Sequence, residues 1–389
     1  MLDLHGHFNI AIPVFVAAGF TIGDVAWSGH IDTLALLVAL PLLLRRATHR
    51  NHFIAAIASY YAGATWTLVP GASIFFGNNF HPLDTLILWF AVIGILTLPW
   101  LILRPVGPIR LSWGLPIAIT VSAFLPTGIA NPITAAGVLF PGTAWFGIIF
   151  TLILFAALIE RPLQTLAFAF CISLVCYIAA PGVPAAPEAW RGINTRFGGS
   201  GFDDPSPFTA FADAQTIQRE AVNSDARVIV FPESVVKHWN DATDILWQNT
   251  FDTLRKRKQI LVVGAEQTLP DQHHYSNVLI VRGAQVATYV QRVPIPYAMW
   301  MPVSGRGVLL NYAGPATITI GTDRVAPLIC YEQLLVFPVL ASMFEHPAIL
   351  VGTANDYWAR GTPIPRIQTA ALSAWSRLFR VPVITAVNQ

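Results

Sequence analysis

A cysteine and two glutamates near the ends of β-rich runs are the residues of this chain most able to do chemistry. Cys330 and Glu332 follow the apolar run 325–329, and Glu233 follows the run 227–231. A thiol becomes a strong nucleophile when a neighbouring base removes its proton, and a carboxylate can be that base. The sequence therefore predicts a thiol nucleophile at Cys330 with Glu233 as its base.

These residues belong to a second half in which short Val- and Ile-rich runs alternate with helical ones. The predicted strands are 227–231, 260–264, 278–281, 286–290, 317–320, 325–329 and 348–352. The predicted helices are 208–223, 242–257 and 364–378. Such alternation indicates an α/β layered fold with reactive groups on loops after strand ends.

The first half has a different composition. Hydrophobic residues make up 54% of the chain and charged residues 11%, whereas soluble domains carry roughly 25% charged residues. Seven apolar stretches occur at 8–26, 31–44, 53–69, 83–103, 111–125, 143–159 and 163–180. A membrane-spanning helix needs about 20 apolar residues. We therefore expect an N-terminal polytopic α-helical membrane bundle over residues 1–180, a Pro-rich linker over 181–190 and a second domain over 191–389.

Arginine placement indicates how the bundle is oriented. Arginines follow the second, fourth and sixth stretches, whereas the loops 71–82 and 126–142 contain neither Arg nor Lys. Basic loops stay in the cytoplasm. The pattern predicts a multi-pass protein of the bacterial inner membrane with a periplasmic C-terminal domain. The amino terminus has no basic segment of the signal-peptide kind, so the first helix is expected to act as an uncleaved start signal.

The cysteines, the net charge and the histidines indicate which kinds of bond and ligand the chain can form. Cys171 and Cys176 lie in the seventh apolar stretch, so Cys330 is the lone thiol of the second domain and is predicted to be reactive rather than disulfide-bonded. The net charge is only +2, and basic residues do not alternate with aromatics in a stripe. The histidines do not have the spacing of metal ligands. No metal, cofactor or direct nucleic-acid partner is predicted.

Three short motifs carry a resemblance to known proteins. They read Phe231-Pro232-Glu233-Ser234, Ile329-Cys330-Tyr331-Glu332 and Asn355-Asp356-Tyr357-Trp358. With them, the second half resembles the carbon–nitrogen hydrolase (nitrilase) superfamily, which implies an αββα sandwich. The whole chain resembles apolipoprotein N-acyltransferase, and its size is most similar to the TraB-type conjugal transfer proteins of self-transmissible plasmids.

The resemblance implies a mechanism and its substrates. Glu233 would take the thiol proton, and Cys330 would form a thioester with an acyl group. Independently of the resemblance, Glu332 follows the nucleophile and is predicted to be a second catalytic carboxylate, with a supporting or surface carboxylate as the alternative. The donor would be a membrane phospholipid, and the acceptor a periplasmic amine or lipoprotein amino terminus. The conjugation machinery would be a further partner.

Four residues are predicted to bind the substrate. Tyr331 adjoins the nucleophile, and Asn355 and Trp358 belong to the third motif. Trp300 lies in the apolar segment 294–303, which we interpret as a lipid-facing loop because aromatic side chains favour the membrane interface. Ordinary core packing is the alternative for this segment.

The lysine of the family pattern has no counterpart here, because its position is occupied by Gln291. Arg292 could supply the cation, although neighbours on a strand point to opposite faces. Gln291 could instead donate an uncharged hydrogen bond, and losing an oxyanion donor typically costs about 3–4 kcal/mol. Activity therefore stays open between an acyltransferase or amidase and a catalytically impaired scaffold protein of conjugal transfer.

A second departure lies at the carboxyl end. The chain stops at Gln389, directly after the apolar run 381–387, whereas the family continues through further strands and a last membrane helix. This ending leaves the completeness of the sheet open.

Overall fold

The computed structural model describes residues 11–77, 81–102, 108–197, 206–271, 273–301 and 305–389. In the first half it contains the helices α1 (Ala11–Ala26), α2 (Ala39–Arg45), α3 (Arg50–Thr65), α4 (Leu68–Phe76), α5 (Pro82–Ile102), α6 (Pro108–Ala123), α7 (Ala136–Leu139), α8 (Trp145–Glu160) and α9 (Pro162–Ala179). Two 3₁₀ segments, Ile31–Val38 and Pro132–Ala135, precede α2 and α7.

Each of the seven apolar stretches contains a helix, although residues 8–10 and 103 of these stretches lie outside the described residues. Within that part of the chain, α5 and α9 are long and apolar enough to cross a membrane, and three other apolar helices are shorter. Two such helices are weak evidence for a membrane location. The membrane bundle therefore stays a prediction, while the helices themselves are present.

The second half combines strands and helices. Its strands are β1 (Trp190–Gly192), β2 (Val228–Val230), β3 (Ile260–Thr268), β4 (His274–Gly283), β5 (Ala287–Val290), β6 (Trp300–Met301), β7 (Arg306–Val308), β8 (Ile318–Ile320), β9 (Asp323–Ile329), β10 (Ile349–Asn355) and β11 (Val383–Asn388). Its helices are α10 (Pro207–Asn223), α11 (Asp241–Leu246), α12 (Gln248–Lys256), α13 (Val336–Phe344) and α14 (Ile364–Phe379).

All seven predicted strands are present, and the predicted helix 242–257 is interrupted at Trp247 between α11 and α12. The sequence did not predict β1, β6, β7, β11 or α13. Three of these strands have only two or three residues, too few to show an alternating pattern. The apolar run 381–387 overlaps β11, which pairs with β10.

The strands form two sheets. The described part of the first sheet has the order β1-β2-β3-β4-β7-β6, with β5 paired to β4, and the second has the order β11-β10-β9-β8. Strands β9, β10 and β11 are parallel, with Ile329 opposite Thr353 and Asn355 opposite Asn388. Parallel strands end at one edge of a sheet, and at this edge the chain continues from β9 into Cys330.

The sheets pack face to face across an apolar core. Val230 and Val262 of the first sheet and Ile329 and Val351 of the second belong to this core. Helices α10 and α12 cover the outer face of the first sheet, and α13 and α14 cover that of the second. The order of layers is α–β–β–α, which is the sandwich that the resemblance implied.

The outer layer formed by α14 also contacts the helical half. One apolar cluster contains Leu350 and Trp375 together with Tyr60 of the first half. A Cβ at Gly137 of α7 would lie 1.9 Å from the Ala374 carbonyl oxygen, so glycine is needed for this approach. The segment 126–142, predicted as a loop, therefore contains a buried helix, and the division into domains stays a prediction because both halves contribute to one core.

Candidate active site

Glu233 leaves the end of β2 and is held by two hydrogen bonds. Asn277 Nδ2 donates to its carboxylate at 2.5 Å, and the Asn355 main-chain N–H donates to the other oxygen at 3.0 Å. The side chain is only 3% exposed. A Cβ at Gly264 of β3 would come within 2.4 Å of Glu233 Cα, so glycine is required there for the two segments to pass. The carboxyl group therefore has one well-defined position.

Cys330 opens a 3₁₀ turn, Cys330–Leu334, directly after β9. Its φ is +50°, a conformation that costs a residue with a side chain about 1–3 kcal/mol. The thiol lies next to the Glu233 carboxyl group, close enough for each to influence the other's pKa, and is 2% exposed. The structure thus brings together the nucleophile and the base that the sequence predicted, from facing sheets.

Burial and like charge control the protonation of this group. Burial raises the pKa of Glu233 to about 7, against the opposing hydrogen bonds from Cys330 and Asn277. Burial, with the Glu233 charge, raises the pKa of Asp356 to about 7. Burial and the two carboxylates raise the pKa of the Cys330 thiol. The thiol is therefore neutral near pH 7, and Glu233 becomes a proton acceptor above that pH.

Gln291 lies behind the base with both ends of its amide occupied. Asn277 Nδ2 donates to Gln291 Oε1 at 2.9 Å, and Gln291 Nε2 donates to the Ile329 carbonyl oxygen at 3.0 Å. The side chain is fully buried. The position predicted for a lysine therefore carries a neutral side chain whose donor points at the main chain just before the nucleophile.

Arg292 faces away from the side occupied by Gln291, at a bend directly after β5. Its Nη2 donates to Ser342 Oγ at 3.1 Å, and its Nε lies 3.7 Å from Glu332 Oε1. The structure therefore does not bring Arg292 to the thiol. This position does not support the interpretation of Arg292 as a catalytic cation. Arg292 instead supplies the counter-charge to the buried Glu332 carboxylate.

Glu332 connects the nucleophile turn to the segment after β5. It accepts the main-chain N–H groups of Ile329, Arg292 and Val293 at 2.9, 2.8 and 3.0 Å. Burial raises its pKa, and the Arg292 charge opposes that increase. Since its oxygens are used in this way, Glu332 positions the turn that holds Cys330.

Replacing Glu332 by glutamine should lower the free energy of unfolding by about 3–5 kcal/mol, because Arg292 would become a buried charge without a counter-charge. Urea unfolding of the full chain in detergent, followed by tryptophan fluorescence, measures this loss. The control is Asp252→Asn, which breaks the exposed pair with Arg255 and should change little. Equal stabilities of the two variants would contradict the assignment.

An apolar cavity of about 150 Å³ begins at Cys330 and extends between the two halves. Tyr331 and Trp358, for which the sequence predicted substrate binding, line it, and Trp358 packs edge-on against Phe75 of α4 at 5.7 Å. Asn355 contacts Glu233 through its main chain. Trp300 lies in β6, where it pairs with Gly307 of β7. It is not among the described residues that line the cavity. The rest of the lining is formed largely by α4, α5 and the segment 295–298.

Comparison with known proteins gives the family. The conjugal transfer protein TraB of Agrobacterium fabrum (strain C58) is 33% identical over 399 aligned residues, which cover 97% of this chain and 93% of that protein. The chain belongs to the TraB family of conjugal transfer proteins. A second TraB relative, a probable conjugal transfer protein of Sinorhizobium fredii (strain NGR234), is 30% identical over 95% of this chain and 96% of its own length. No protein-family model matches the chain.

Two solved structures of other proteins are similar in fold to part of this TraB-family chain. An amidase from Nesterenkonia sp. matches 51% of this chain and 74% of its own, with 12% identity and a TM-score of 0.34. A glutamine-dependent NAD+ synthetase from Acinetobacter baumannii matches 42% of this chain and 31% of its own, with 16% identity and a TM-score of 0.31.

Sequence reasoning missed two buried amides of the TraB-family site. Asn277 bridges Glu233 and Gln291, and Gln368 of α14 lies 3.8 Å from Cys330 Sγ. Gln368 had a detectable signal, because it interrupts the apolar stripe formed by Ile364, Ile367 and Ala371. Asn277 had a weaker one, as a polar residue directly before the apolar part of a strand.

Proposed function

We propose that this TraB-family protein is a membrane-anchored thiol acyltransferase or amidase of the carbon–nitrogen hydrolase type that acts in conjugal plasmid transfer. One observation carries the proposal: the Cys330 thiol lies against the buried carboxyl group of Glu233 and lines an apolar cavity. A nucleophile, its base and space for a hydrocarbon chain are the parts that thioester formation from a lipid needs.

In the first step, Glu233 takes the Sγ proton while sulfur attacks the donor's ester carbonyl. The C–O bond then breaks, the leaving alkoxide takes the proton from Glu233, and the acyl group remains on Cys330 as a thioester. The main-chain N–H of Tyr331, which lies near the thiol and opposes the increase in its pKa, is a donor for developing negative charge. Because Gln291 is neutral and already bonded, we expect this step to be slow.

Exposed apolar surface supports the membrane part of the proposal. No residue of α9 is buried, although the helix is apolar along its 18 residues. Phe170 and Ile178 on this helix are 69% and 71% exposed. A surface of this kind is favourable only against lipid or another apolar partner. Arginine placement favours an inner-membrane protein with the second half in the periplasm. A phospholipid donor and an amine or lipoprotein acceptor are what the resemblance to apolipoprotein N-acyltransferase implies.

Replacing Cys330 by alanine tests the enzymatic proposal. We expect plasmid transfer from cells with Cys330→Ala to fall to the frequency of a strain lacking the gene, and the purified variant to lose an acyl adduct seen by intact mass on the wild type. Cys171→Ala, in the exposed helix α9, is the control and should keep both. Wild-type transfer by Cys330→Ala would exclude catalysis as the role in conjugation.

A scaffold function in conjugal transfer is the second candidate. It is favoured by Gln291 at the predicted lysine position and by the absence of a cation from the thiol's contacts among the described residues. In this case Cys330→Ala would transfer plasmids normally, whereas removal of residues 191–389 would abolish transfer. Transfer by the truncated protein would exclude the scaffold role.

A further inference from the structure

The side-chain amide of Gln368 lies between the nucleophile and a second buried carboxyl group. One terminal atom of the amide is 3.8 Å from Cys330 Sγ, and the other faces Asp356. With nitrogen on the Asp356 side, the amide donates to both carboxylate oxygens, at 3.1 and 2.9 Å. Because an ionised carboxylate only accepts hydrogen bonds, this orientation is required when Asp356 is charged. The Gln368 carbonyl oxygen then faces the sulfur.

Acylation of Cys330 removes the hydrogen-bond donor that the Gln368 carbonyl oxygen faces. The free thiol has one hydrogen to share between Glu233 and Gln368, but a thioester has none. Gln368 is 3% exposed and lines the cavity, so its oxygen would be a buried acceptor without a donor in the acyl-enzyme. A buried acceptor left without a partner is costly, and a ligand that brings N–H groups removes that cost.

The charges around the sulfur favour a cationic ligand. Glu233 and Asp356 both act on Cys330, and no cation of the described residues appears among the groups that influence the thiol most. Lys237 is held by Glu266, and Arg292 by Glu332. An ammonium group entering the cavity would therefore meet two carboxylates without a resident competitor.

We propose that Gln368, oriented by Asp356, is the binding site for the ammonium group of the acyl acceptor. This inference rests on the proposed function and adds the acceptor's site to it. Gln368 touches the acceptor and is a catalytic residue in that sense, whereas Asp356 acts through it and is a positioning residue.

The transfer step balances with the residues present. The acceptor R–NH₃⁺ donates an N–H to Gln368 Oε1 and gives one proton to the Glu233 carboxylate. Nitrogen attacks the thioester carbon, the C–N bond forms, and the C–S bond breaks. The sulfur leaves with the second nitrogen proton as a thiol. The products are an amide and free Cys330, and Glu233 afterwards releases its proton to solvent.

The full chain in detergent micelles can test each step with simple probes, p-nitrophenyl octanoate as donor and n-butylamine as acceptor, at pH 8. Intact mass follows the octanoyl adduct on Cys330, and product analysis separates N-butyloctanamide from octanoate. For Gln368→Met, of similar length, we expect adduct formation within about twofold of wild type and amide formation reduced by about 10- to 100-fold, as for a lost hydrogen bond to a charged group. Octanoate then becomes the main product.

A second variant and a control keep the test independent of folding. Asp356→Asn keeps the side chain's shape and should raise KM for butylamine. Adduct formation should be no slower than in the wild type, because the Asp356 charge that raises the thiol pKa is removed. Gln333→Met removes another buried glutamine, one that donates only to the Leu328 and Thr353 carbonyl oxygens, and should leave the ratio of amide to octanoate unchanged.

The outcomes separate the inference from the function beneath it. An adduct on wild-type Cys330, with a wild-type product ratio in Gln368→Met or in Asp356→Asn, would overturn the acceptor site alone. Complete absence of the adduct on the wild type would overturn the acyltransferase proposal and the acceptor site together.

Discussion

Replacing Gln291 by lysine should raise the rate at which iodoacetamide alkylates Cys330 at pH 7.5 by about 10- to 100-fold, because a nearby cation stabilises the thiolate. Gln291 already contacts Asn277 and the Ile329 carbonyl oxygen. A lysine side chain at this position would therefore enter the hydrogen-bonded network that also holds Glu233. In the wild type, burial and two carboxylates hold the thiol pKa high. Alkylation followed by intact mass measures the difference directly.

The matched control is Gln291→Met, which has similar length and no charge. It should alkylate no faster than the wild type, because it adds no stabilisation of the thiolate. Cys171 and Cys176 should be replaced by alanine in all proteins compared, so that Cys330 is the lone thiol. Equal rates for the lysine and methionine variants would show that the segment after β5 has no electrostatic influence on the nucleophile.

Replacing Glu233 by glutamine should slow acylation of Cys330 by about 10²–10⁴-fold, which is the usual contribution of a general base. The wild-type rate should rise with pH through about 7, because burial raises the pKa of Glu233 to about 7 and only the carboxylate can accept the thiol proton. The glutamine variant should lose that inflection. Pre-steady-state release of p-nitrophenol from p-nitrophenyl octanoate, recorded from pH 5.5 to 9, gives both results.

Glu266→Gln is the control for a charge near the base. Glu266 pairs with Lys237, and its negative charge contributes to the raised pKa of Glu233. Removing that charge should move the inflection to lower pH while the plateau rate stays close to wild type. A glutamine at position 233 that keeps the wild-type plateau would remove Glu233 from the mechanism.

These expectations depend on features that differ in how well the sequence could predict them. Glu233 and Cys330 could be predicted, because each follows an apolar run of strand composition and carries a side chain with nucleophilic or basic chemistry. The opposition of Gln291 and Arg292 could not be predicted from the two-residue period of a strand, because both residues lie beyond the end of β5 and Arg292 is at a bend. Which of the two faces the base could not be predicted either, since that depends on the register of β4 and β5.

The partners of Arg292 show where local patterns stop being informative. Glu332 and Ser342 lie 40 and 50 residues further along the chain, and both are completely buried. No periodicity connects residues this far apart. Only the tertiary packing that places the turn Cys330–Leu334 and α13 beside the segment after β5 brings the guanidinium group to a carboxylate rather than to the thiol.

By itself, the sequence determined the apolar helical half and the strand–helix alternation of the second half, because composition and period are local properties. It also indicated the candidate nucleophile and its candidate base, because each directly follows a run of strand composition. The tertiary structure alone decided the facing of the two sheets, the burial that raises the Glu233 pKa, and the meeting of Gln368 with Cys330 and Asp356. These are contacts between distant segments, and they depend on how surfaces pack rather than on how one segment is patterned.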